Sequence, residues 1–312
     1  MKAAKPQAAR VPRRRLDGVL LLDKALGASS NHALQAARRL YRAEKAGHTG
    51  TLDPLATGLL PLCFGEATKF SGELLDADKR YVATVQLGIT TDTADAEGRV
   101  LETRPVEAGL AEIEAALASF LGEIDQVPPM YSALKRDGKP LYEYARAGIE
   151  LERAARRVRI YELNLLNADE LATGRFVFEV RCSKGTYVRT LAADIGERLG
   201  CGAHLAALRR TGIGALDVDQ AHTLATLEEL AAEARDALLL PPDSLLAGLA
   251  EASLDMAGAE RLRHGQTVRW NGEEGIRLRV YDAEGRFIGV CRQLADGWLQ
   301  PVRLVAGSES TN

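Results

Sequence analysis

Residues 47–61 read GHTGTLDPLATGLLP, and this stretch decides how the rest of the chain is interpreted. Its glycines and threonines predict a loop. Asp53 followed by Pro54 is typical of a helix start, because an aspartate caps free N–H groups and a proline fits the first turn. From these residues alone, Asp53 is either such a cap or a functional carboxylate. No GxxxxGK[ST] pattern follows the glycines, so a phosphate-binding loop for nucleoside triphosphates is not supported.

The segments around this loop predict strands and a helix. Residues 18–24, GVLLLDK, form a short apolar run that indicates a buried strand, and SSNHALQAARRLYR, from Ser29, combines capping residues with helical periodicity. Apolar and polar residues alternate over 80–91, 156–169 and 174–190, as they do in half-buried strands. These segments predict a mixed, largely antiparallel sheet.

Helices and a second, smaller unit complete the predicted α+β class. Residues 107–123 and 190–200 have helical patterns, and residues 221–240 predict an amphipathic helix that ends at a double proline, a hinge between two units. Residues 252–306 then contain one short helical segment and three strand-like segments separated by DAEG and ADG turns. They indicate a small β-rich module attached to the main domain.

The composition is that of a soluble, folded protein: of 312 residues, 46% are hydrophobic and 27% charged. No apolar run is long enough to cross a membrane, and the N-terminus lacks the apolar segment of a secretory signal, so a cytoplasmic location is predicted. The cysteines contain no CxxC pair and no histidine clusters with them, so neither disulfides nor a dedicated metal is expected. They are Cys63, Cys182, Cys201 and Cys291.

The distribution of charge is more informative than the net charge of -3. Residues 1–15 contain six basic side chains and no acid, and residues 130–160 contain eight basic against four acidic side chains. Residues 217–251 have the opposite bias, with eight acids and the single cation Arg235. A polyanion that contacts the first two regions fits this asymmetry, and so does a solvated tail with two ordinary helix faces.

Six segments, in order, resemble the TruB-type tRNA pseudouridine synthases. They span most of residues 18–306 and include the C-terminal module. The other five are GVLLLDKALGASSNHALQAARRLY, AGHTGTLDPLATGLLPLCFGEATKF, DKRYVATVQLGITTDTADAEG, VPPMYSALKRDGKPLYEYARAG and CSKGTYVRTLAADIGERLGCGAHLAALRR.

The resemblance implies a pseudouridine synthase fold with three parts: a basic flexible tail over 1–15, a catalytic domain over 16–248 and a PUA-like RNA-binding domain over 249–308. It also implies an activity, the isomerisation of uridine 55 in the T loop of tRNA. This reaction breaks the C1′–N1 bond and joins C1′ to C5 of the same uracil, so no cofactor or metal is expected.

The resemblance further implies three catalytic residues. Asp53 corresponds to the required aspartate of the family, and Arg189 in KGTYVRT is the cation expected to keep it ionised. Tyr81 in DKRYVA corresponds to the tyrosine that stacks on the target base and accepts a proton in the last step. Without the resemblance, Arg189 reads as a surface charge at a strand end and Tyr81 as a core residue.

Four more residues are expected to contact the substrate or support the site. His48 corresponds to the histidine that fills the space left when the target uridine is flipped out of the T loop. Tyr187, two residues before Arg189 on the same predicted strand, is expected to face the same pocket. The remaining two are Leu208, an apolar contact whose alternative is a helix core, and Lys24.

The sequence leaves two alternatives to a stand-alone enzyme open. The chain could be a tRNA folding factor in which the chemistry is incidental, or a guide-dependent relative that takes its target from an RNA partner. The lack of long lysine-rich tails favours the bacterial stand-alone form, which predicts tRNA as partner, no guide RNA, no obligate protein partner and a monomer. Whether Asp53 attacks C1′, attacks the base or stabilises charge is left open.

Overall fold

The computed structural model describes residues 12–306, and within them the chain forms eighteen strands and seven α-helices. The strands are β1 Gly18–Lys24, β2 Ala46–His48, β3 Ala56–Phe64, β4 Lys79–Leu87, β5 Ile89–Thr91, β6 Val100–Thr103, β7 Gly122–Gln126, β8 Lys135–Arg136, β9 Lys139–Pro140, β10 Arg156–Asn167, β11 Arg175–Cys182, β12 Ala203–Ile213, β13 Leu216–Asp217, β14 Ala250–Ser253, β15 Val268–Arg269, β16 Arg277–Tyr281, β17 Phe287–Leu294 and β18 Trp298–Leu304. The helices are α1 Ser30–Leu40, α2 Leu110–Ala118, α3 Leu141–Arg146, α4 Val188–Arg198, α5 Leu224–Glu229, α6 Ala232–Asp236 and α7 Met256–Arg263.

The main body is built on a nine-stranded sheet. Its order is β1-β3-β12-β4-β11-β10-β7, with β2 added beside β3 and β13 beside β12. β12 runs parallel to β3, and the other strand pairs in this sheet are antiparallel. The predicted α+β class with a mixed, largely antiparallel sheet is therefore confirmed. The central strands β3, β12 and β4 come from distant parts of the sequence, and the site lies at this junction.

The strand predicted over 18–24 and the helix predicted from Ser29 are confirmed as β1 and α1. The hydroxyl of Ser29 caps α1 by accepting from the backbone of the first turn. Leu20 on β1 packs beneath α1, whereas Leu21 packs into a separate cluster on the other face. Because both faces of β1 are covered, its sequence is an uninterrupted apolar run.

Asp53 and Pro54 do not start a helix, so this prediction is wrong. They form a turn in which the N–H of Ala56 donates to the carbonyl oxygen of Asp53 at 3.0 Å, and β3 begins at Ala56. β3 then packs closely against β12 at Gly58, where φ is +96° and a Cβ would lie 2.3 Å from the carbonyl oxygen of Arg210.

The strand predicted over 174–190 is too long at its C-terminal end. β11 stops at Cys182, and after a glycine-containing turn α4 begins at Val188, with Tyr187 as its cap residue. The prediction that Tyr187 and Arg189 share one strand face is therefore wrong. Both residues lie at the start of a helix, where the backbone geometry differs from the period of two.

Two other local predictions are also corrected. The single helix predicted over 221–240 is two short helices, α5 and α6, because Leu230 between them has extended backbone angles (φ −84°, ψ 146°). Leu208, for which a helix core was the alternative to substrate contact, lies on β12. Alanine-rich and leucine-rich segments of this kind fit both helices and buried strands, so only packing separates the two.

The C-terminal module has its own five-stranded sheet, in the order β14-β16-β17-β18-β15, with α7 packed on it. Its predicted helix and three predicted strands are confirmed as α7, β16, β17 and β18. The module contacts the main body through Val290, which packs with Leu245 and Leu246, and through a bidentate ion pair between Arg277 and Glu73 at 2.7 and 3.0 Å. The predicted domain boundary at 248/249 directly precedes β14 and stays a prediction.

The predicted basic tail falls largely outside the described residues, which begin at 12. Its remaining part is attached to the main body: the N–H of Arg14 donates to the carbonyl oxygen of Arg42, and its guanidinium forms an ion pair with Asp236. The predicted tail boundary at residue 15 thus lies after a segment that already packs. Within residues 12–306, no helix has the length and apolar character needed to span a membrane.

Candidate active site

Asp53 is held by a loop that α1 and β1 both support. The hydroxyl of Ser30, the buried first residue of α1, accepts from the N–H of Leu52 at 2.8 Å and donates to its carbonyl oxygen at 2.9 Å. Lys24, at the end of β1, donates through Nζ to the carbonyl oxygen of Ala28 at 2.6 Å. The backbone around Asp53 is therefore fixed, while its side chain remains 45% exposed.

Arg189 is the buried cation that faces Asp53. Its Nη2 lies 3.0 Å from Oδ2 of Asp53 and donates to the carbonyl oxygen of Tyr131 at 2.7 Å. Its Nη1 lies 3.4 Å from Oδ2 of Asp95 and donates to the carbonyl oxygen of Thr93 at 3.2 Å. The guanidinium thus joins two carboxylates and two loops at one point.

The position of Arg189 in the first turn of α4 is electrostatically unusual. The N-terminus of a helix carries a partial positive charge, which disfavours a cation there. Two carboxylates on the other side of the guanidinium offset that repulsion and hold it in place. The pairing of Asp53 with Arg189, predicted from the sequence, is thus present, although on a helix and not at the end of a strand.

The charge state of Asp53 reflects competing effects. Partial removal from water raises the pKa of Asp53, the guanidinium of Arg189 opposes that rise, the nearby Asp95 adds to it and Lys24 opposes it. The net direction is upward. Asp53 is thus a carboxylate whose charge is less well stabilised than that of an ordinary surface aspartate.

Asp95 is part of the site but was missed by the sequence-based prediction. It is 3% exposed, and its Oδ1 accepts from the hydroxyl of Thr93 at 2.6 Å and from the N–H of Glu97 at 3.1 Å. The signal available in the sequence was its place in TDTADAEG, within a segment that resembles the family. Nothing in that pattern distinguishes Asp95 from its acidic neighbours, since only the fold brings it to Arg189.

Tyr81 and Leu208 form an apolar floor next to this ion pair. Leu208 on β12 pairs with Ala83 on β4, two residues from Tyr81, so both side chains lie on the same face of the sheet. Both also pack against the two clusters that meet at this junction. Burial raises the pKa of Tyr81, and the guanidinium of Arg210, which pairs with it across the strands, opposes that rise.

The remaining predicted residues lie around the same loop. His48 ends β2, its Nδ1 has no hydrogen-bond partner among the described residues, and burial lowers the pKa of His48, which favours the neutral ring. The side-chain amide of Gln126 accepts from the N–H of Tyr187 at 2.7 Å and donates to the carbonyl oxygen of Tyr187 at 3.1 Å. Lys24 is 1% exposed, and its Nζ donates to the carbonyl oxygens of Ala25 and Ala28 and, at 3.5 Å, to that of Pro54 next to Asp53.

The basic segment predicted over 130–159 begins at the site. Tyr131 bonds to Arg189 as described, and the segment continues through β8, β9 and α3. Two of its cations lie over its own aromatic rings: Lys139 over Tyr144 at 5.0 Å and Arg146 over Tyr142 at 5.4 Å. Among residues 12–306, no group of three or more His, Cys, Asp and Glu side chains is placed to hold a metal ion.

Three family models match the chain in succession. Residues 38–188 match "TruB family pseudouridylate synthase (N terminal domain)", residues 189–247 match "tRNA pseudouridylate synthase B C-terminal domain", and residues 250–305 match "Pseudouridine synthase II TruB, C-terminal". Curated relatives match at nearly full length. Proteins named tRNA pseudouridine synthase B are 60% identical in Burkholderia lata (98% of this chain, 95% of that protein) and 57% identical in Cupriavidus metallidurans (95% and 96%).

Solved structures share the fold. A "Cbf5-Nop10-Gar1 Complex" chain is 26% identical, with a TM-score of 0.70 over 89% of this chain and 78% of that chain. A chain from a structure of an "H/ACA RNP bound to a substrate RNA containing 2'-deoxyuridine" is 21% identical, with a TM-score of 0.72 over 94% and 86%. The second likeness concerns the fold alone.

Proposed function

The chain belongs to the TruB family of tRNA pseudouridine synthases and isomerises uridine in tRNA; from that premise, we propose that Asp53 is its catalytic carboxylate and uridine 55 in the T loop its target. The observation that carries this proposal is the Asp53–Arg189 ion pair beside the floor formed by Tyr81 and Leu208. It combines a reactive carboxylate, a fixed cation and a flat apolar surface that suits a pyrimidine ring.

The reaction defines what the site has to supply. The C1′–N1 bond breaks, C1′ bonds to C5 of the same uracil, C5 loses a proton and N1 gains one, so atoms and charge balance without another reactant. Asp53 serves either as a nucleophile or as a counter-charge for the sugar cation that forms when the glycosidic bond breaks. Both roles require the ionised carboxylate.

The electrostatics of Asp53 support this assignment. A carboxylate that is partly desolvated has a poorly stabilised charge, which makes it more reactive towards an electrophilic carbon. Arg189 keeps the carboxylate ionised and oriented, and its own position is secured by Asp95 and two carbonyl oxygens. The site thereby holds a charged group in place without neutralising it completely.

Tyr81 and its neighbours support the proposed handling of the base. We assign the ring of Tyr81 to stacking on the uracil and its phenol oxygen to accepting the C5 proton. A uridine in a folded T loop must first leave the stack, and we assign His48 to the space that it leaves and Tyr187 and Leu208 to contacts with the flipped nucleotide.

RNA binding is assigned to the basic segment 130–159 and to the C-terminal module. The segment offers cations for phosphates and tyrosines for bases, and its first residues bond directly to Arg189. Curated relatives named tRNA pseudouridine synthase B match over nearly their whole length, which supports tRNA as the substrate. We propose that the chain acts on it without a guide RNA, as a monomer.

The proposal can be tested by incubating the purified protein, with a chelator present, with two RNAs: an unmodified tRNA transcript and an isolated T-arm hairpin. Pseudouridine at position 55 in both RNAs, and none in a hairpin with cytidine there, is the expected result. Pseudouridine at other positions would overturn the target assignment. A requirement for added RNA or metal would overturn the stand-alone, cofactor-free assignment.

A further inference from the structure

Arg210 is a buried cation that the proposed chemistry has not yet used. It lies on β12, between Gly58 of β3 and Tyr81 of β4 in the strand register, and is only 2% exposed. Residues that pair directly across two strands project from the same face of the sheet. The guanidinium of Arg210 therefore lies beside the phenol of Tyr81, on the face of the sheet that carries the proposed base-binding residues.

The bonding of Arg210 is incomplete, in contrast to that of Arg189. Its Nε donates to the carbonyl oxygen of Leu59 at 2.8 Å, but its Nη2 is buried without a hydrogen-bond partner among residues 12–306. The phenol of Tyr81 is the neighbouring polar group that stabilises the positive charge of Arg210. Within the described chain, no carboxylate forms an ion pair with Arg210.

A guanidinium buried without a carboxylate is costly, because its charge loses water without gaining a counter-ion. The fold nevertheless encloses it. A Cβ at Gly58 would lie 2.3 Å from the carbonyl oxygen of Arg210, so this glycine lets β3 approach the Arg210 backbone closely, and a Cβ at Gly50 would lie 3.6 Å from Nη1, in van der Waals contact. Two glycines of the GHTGTLDPLATG segment thus border Arg210, one at its backbone and one at its guanidinium.

We propose that Arg210 is a positioning residue that acts through Tyr81: its charge favours the phenolate, and its bulk fixes the ring, so that Tyr81 can accept the C5 proton of the rejoined uracil. The inference rests on the proposed role of Tyr81. In this step the C5–H bond breaks and its electron pair forms the C5–C6 double bond, while the electron pair of the N1–C6 double bond moves to N1, which takes a proton from solvent. The proton from C5 passes to the phenolate oxygen. The phenol later returns the proton to solvent.

Three groups face the phenol of Tyr81: Arg210 from β12, Cys182 from β11 and Asp53 from the turn before β3. Burial raises the pKa of Tyr81, the cation of Arg210 lowers it, and Cys182 and Asp53 raise it. The net direction is upward, and Arg210 is the group among these that opposes the rise. Its removal shifts the ionisation of Tyr81 to higher pH, because a nearby positive charge stabilises the phenolate.

Arg210→Met removes the charge and keeps a long apolar stem, whereas Arg210→Lys keeps the charge. Ultraviolet titration of tyrosinate, taken as the difference between each protein and its Tyr81→Phe counterpart, isolates Tyr81 from the other tyrosines. We expect the midpoint to rise in Arg210→Met and to stay near the wild-type value in Arg210→Lys. Arg209→Gln is the matched control, because the adjacent Arg209 pairs with Asp23 at 2.7 Å. An unchanged midpoint in Arg210→Met would overturn the inference.

Rates give the second readout. Arg210→Met is expected to slow pseudouridine formation by about tenfold to a hundredfold at neutral pH, because a proton acceptor with a higher pKa is less often in its reactive, ionised form. The loss of rate should become smaller as pH rises. A ring-fluorinated tyrosine at position 81, which ionises more easily, should restore part of the rate. A loss that neither higher pH nor fluorination relieves indicates a purely structural role and contradicts the inference. Full activity of Tyr81→Phe would instead refute the proposed role of Tyr81.

Discussion

Asp53 in the main body and Asp282 in the C-terminal module are two aspartates paired with arginines, but their pKa values are shifted in opposite directions. Asp282 follows β16, and its side chain is completely buried. Asp53 follows the GHTGTL loop, and its side chain is 45% exposed. Burial alone would predict that Asp282 is the harder of the two to ionise.

The reverse holds, because Asp282 has a full set of donors. Burial by itself would raise its pKa, but the N–H groups of Arg286 and Glu284 donate to Oδ1 and the guanidiniums of Arg286 and Arg263 approach Oδ2. Together they hold the pKa of Asp282 well below its ordinary range. Asp282 is thereby a structural anion that secures the turn between β16 and β17.

Asp53 has fewer hydrogen-bond donors than Asp282, and its cation, Arg189, also pairs with Asp95. The pKa of Asp53 is raised. The difference teaches that the balance between removal from water and the number of hydrogen-bond donors separates a carboxylate that stabilises the fold from one kept available for chemistry. Substitutions at the three aspartates can break or sharpen this contrast.

The largest expected effect is on the rate, from Asp53→Asn. Loss of the ionised carboxylate should lower pseudouridine formation by a factor on the order of 10⁴ or more, as removal of a nucleophile does in other enzymes. Single-turnover measurements on a T-arm hairpin would show it. Hairpin affinity, measured by filter binding, should change little, and a variant with most of its activity left would remove Asp53 from the chemistry.

The next effect is on stability, from Asp282→Asn. Removing the charge leaves the guanidinium of Arg263 without its counter-ion and that of Arg286 with Glu284 alone, which should cost about 3 kcal/mol in the free energy of unfolding, measured with urea. Because the folded-state pKa of Asp282 is depressed, this contribution is present above the ordinary carboxyl pKa and is lost as pH falls through the folded-state value. A destabilisation that persists unchanged in acid would contradict this assignment. The folded variant should retain its catalytic rate on the hairpin.

A smaller effect is expected on the rate from Asp95→Asn. Arg189 would lose one of the two carboxylates that fix it, so the rate should fall about tenfold through misplacement of the guanidinium. The pKa of Asp53 should move down, since Asp95 contributes to its rise, and the acid limb of the pH–rate profile should therefore move to lower pH. A limb that moves to higher pH would show that Asp95 acts mainly by holding Arg189.

The smallest effect concerns the stability of Asp53→Asn. An acid with a raised pKa destabilises the folded state when ionised, so the wild type should lose stability relative to the variant as pH rises from the ordinary carboxyl pKa through the folded-state value. At neutral pH the variant should be more stable by less than about 1 kcal/mol, because water screens the half-exposed side chain. Urea unfolding at acidic and neutral pH measures this difference. A less stable variant at neutral pH would place Asp53 with Asp282 as a structural anion.

Local patterns in the sequence determined much of the fold. The apolar run of β1, the capped periodicity of α1 and the alternation in β4, β10 and β11 each report which side chains are buried, and burial follows period and composition. The same holds for the strands of the C-terminal module. Composition alone left Asp53 as either a helix cap or a functional carboxylate. Asp53, Tyr81 and Arg189 could be identified because the family resemblance reaches them.

The tertiary structure alone decided which charges meet. Arg189 lies 94 residues from Asp95 and more than that from Asp53, and its helical position contradicts the strand predicted for it. Arg210 acquires its position beside Tyr81 only through the register of β12 with β4. Electrostatic interactions depend on distance in space and on the surrounding dielectric, which no local period of the sequence encodes. The sequence therefore supplied the reactive groups, and the long-range strand pairing set their charge states.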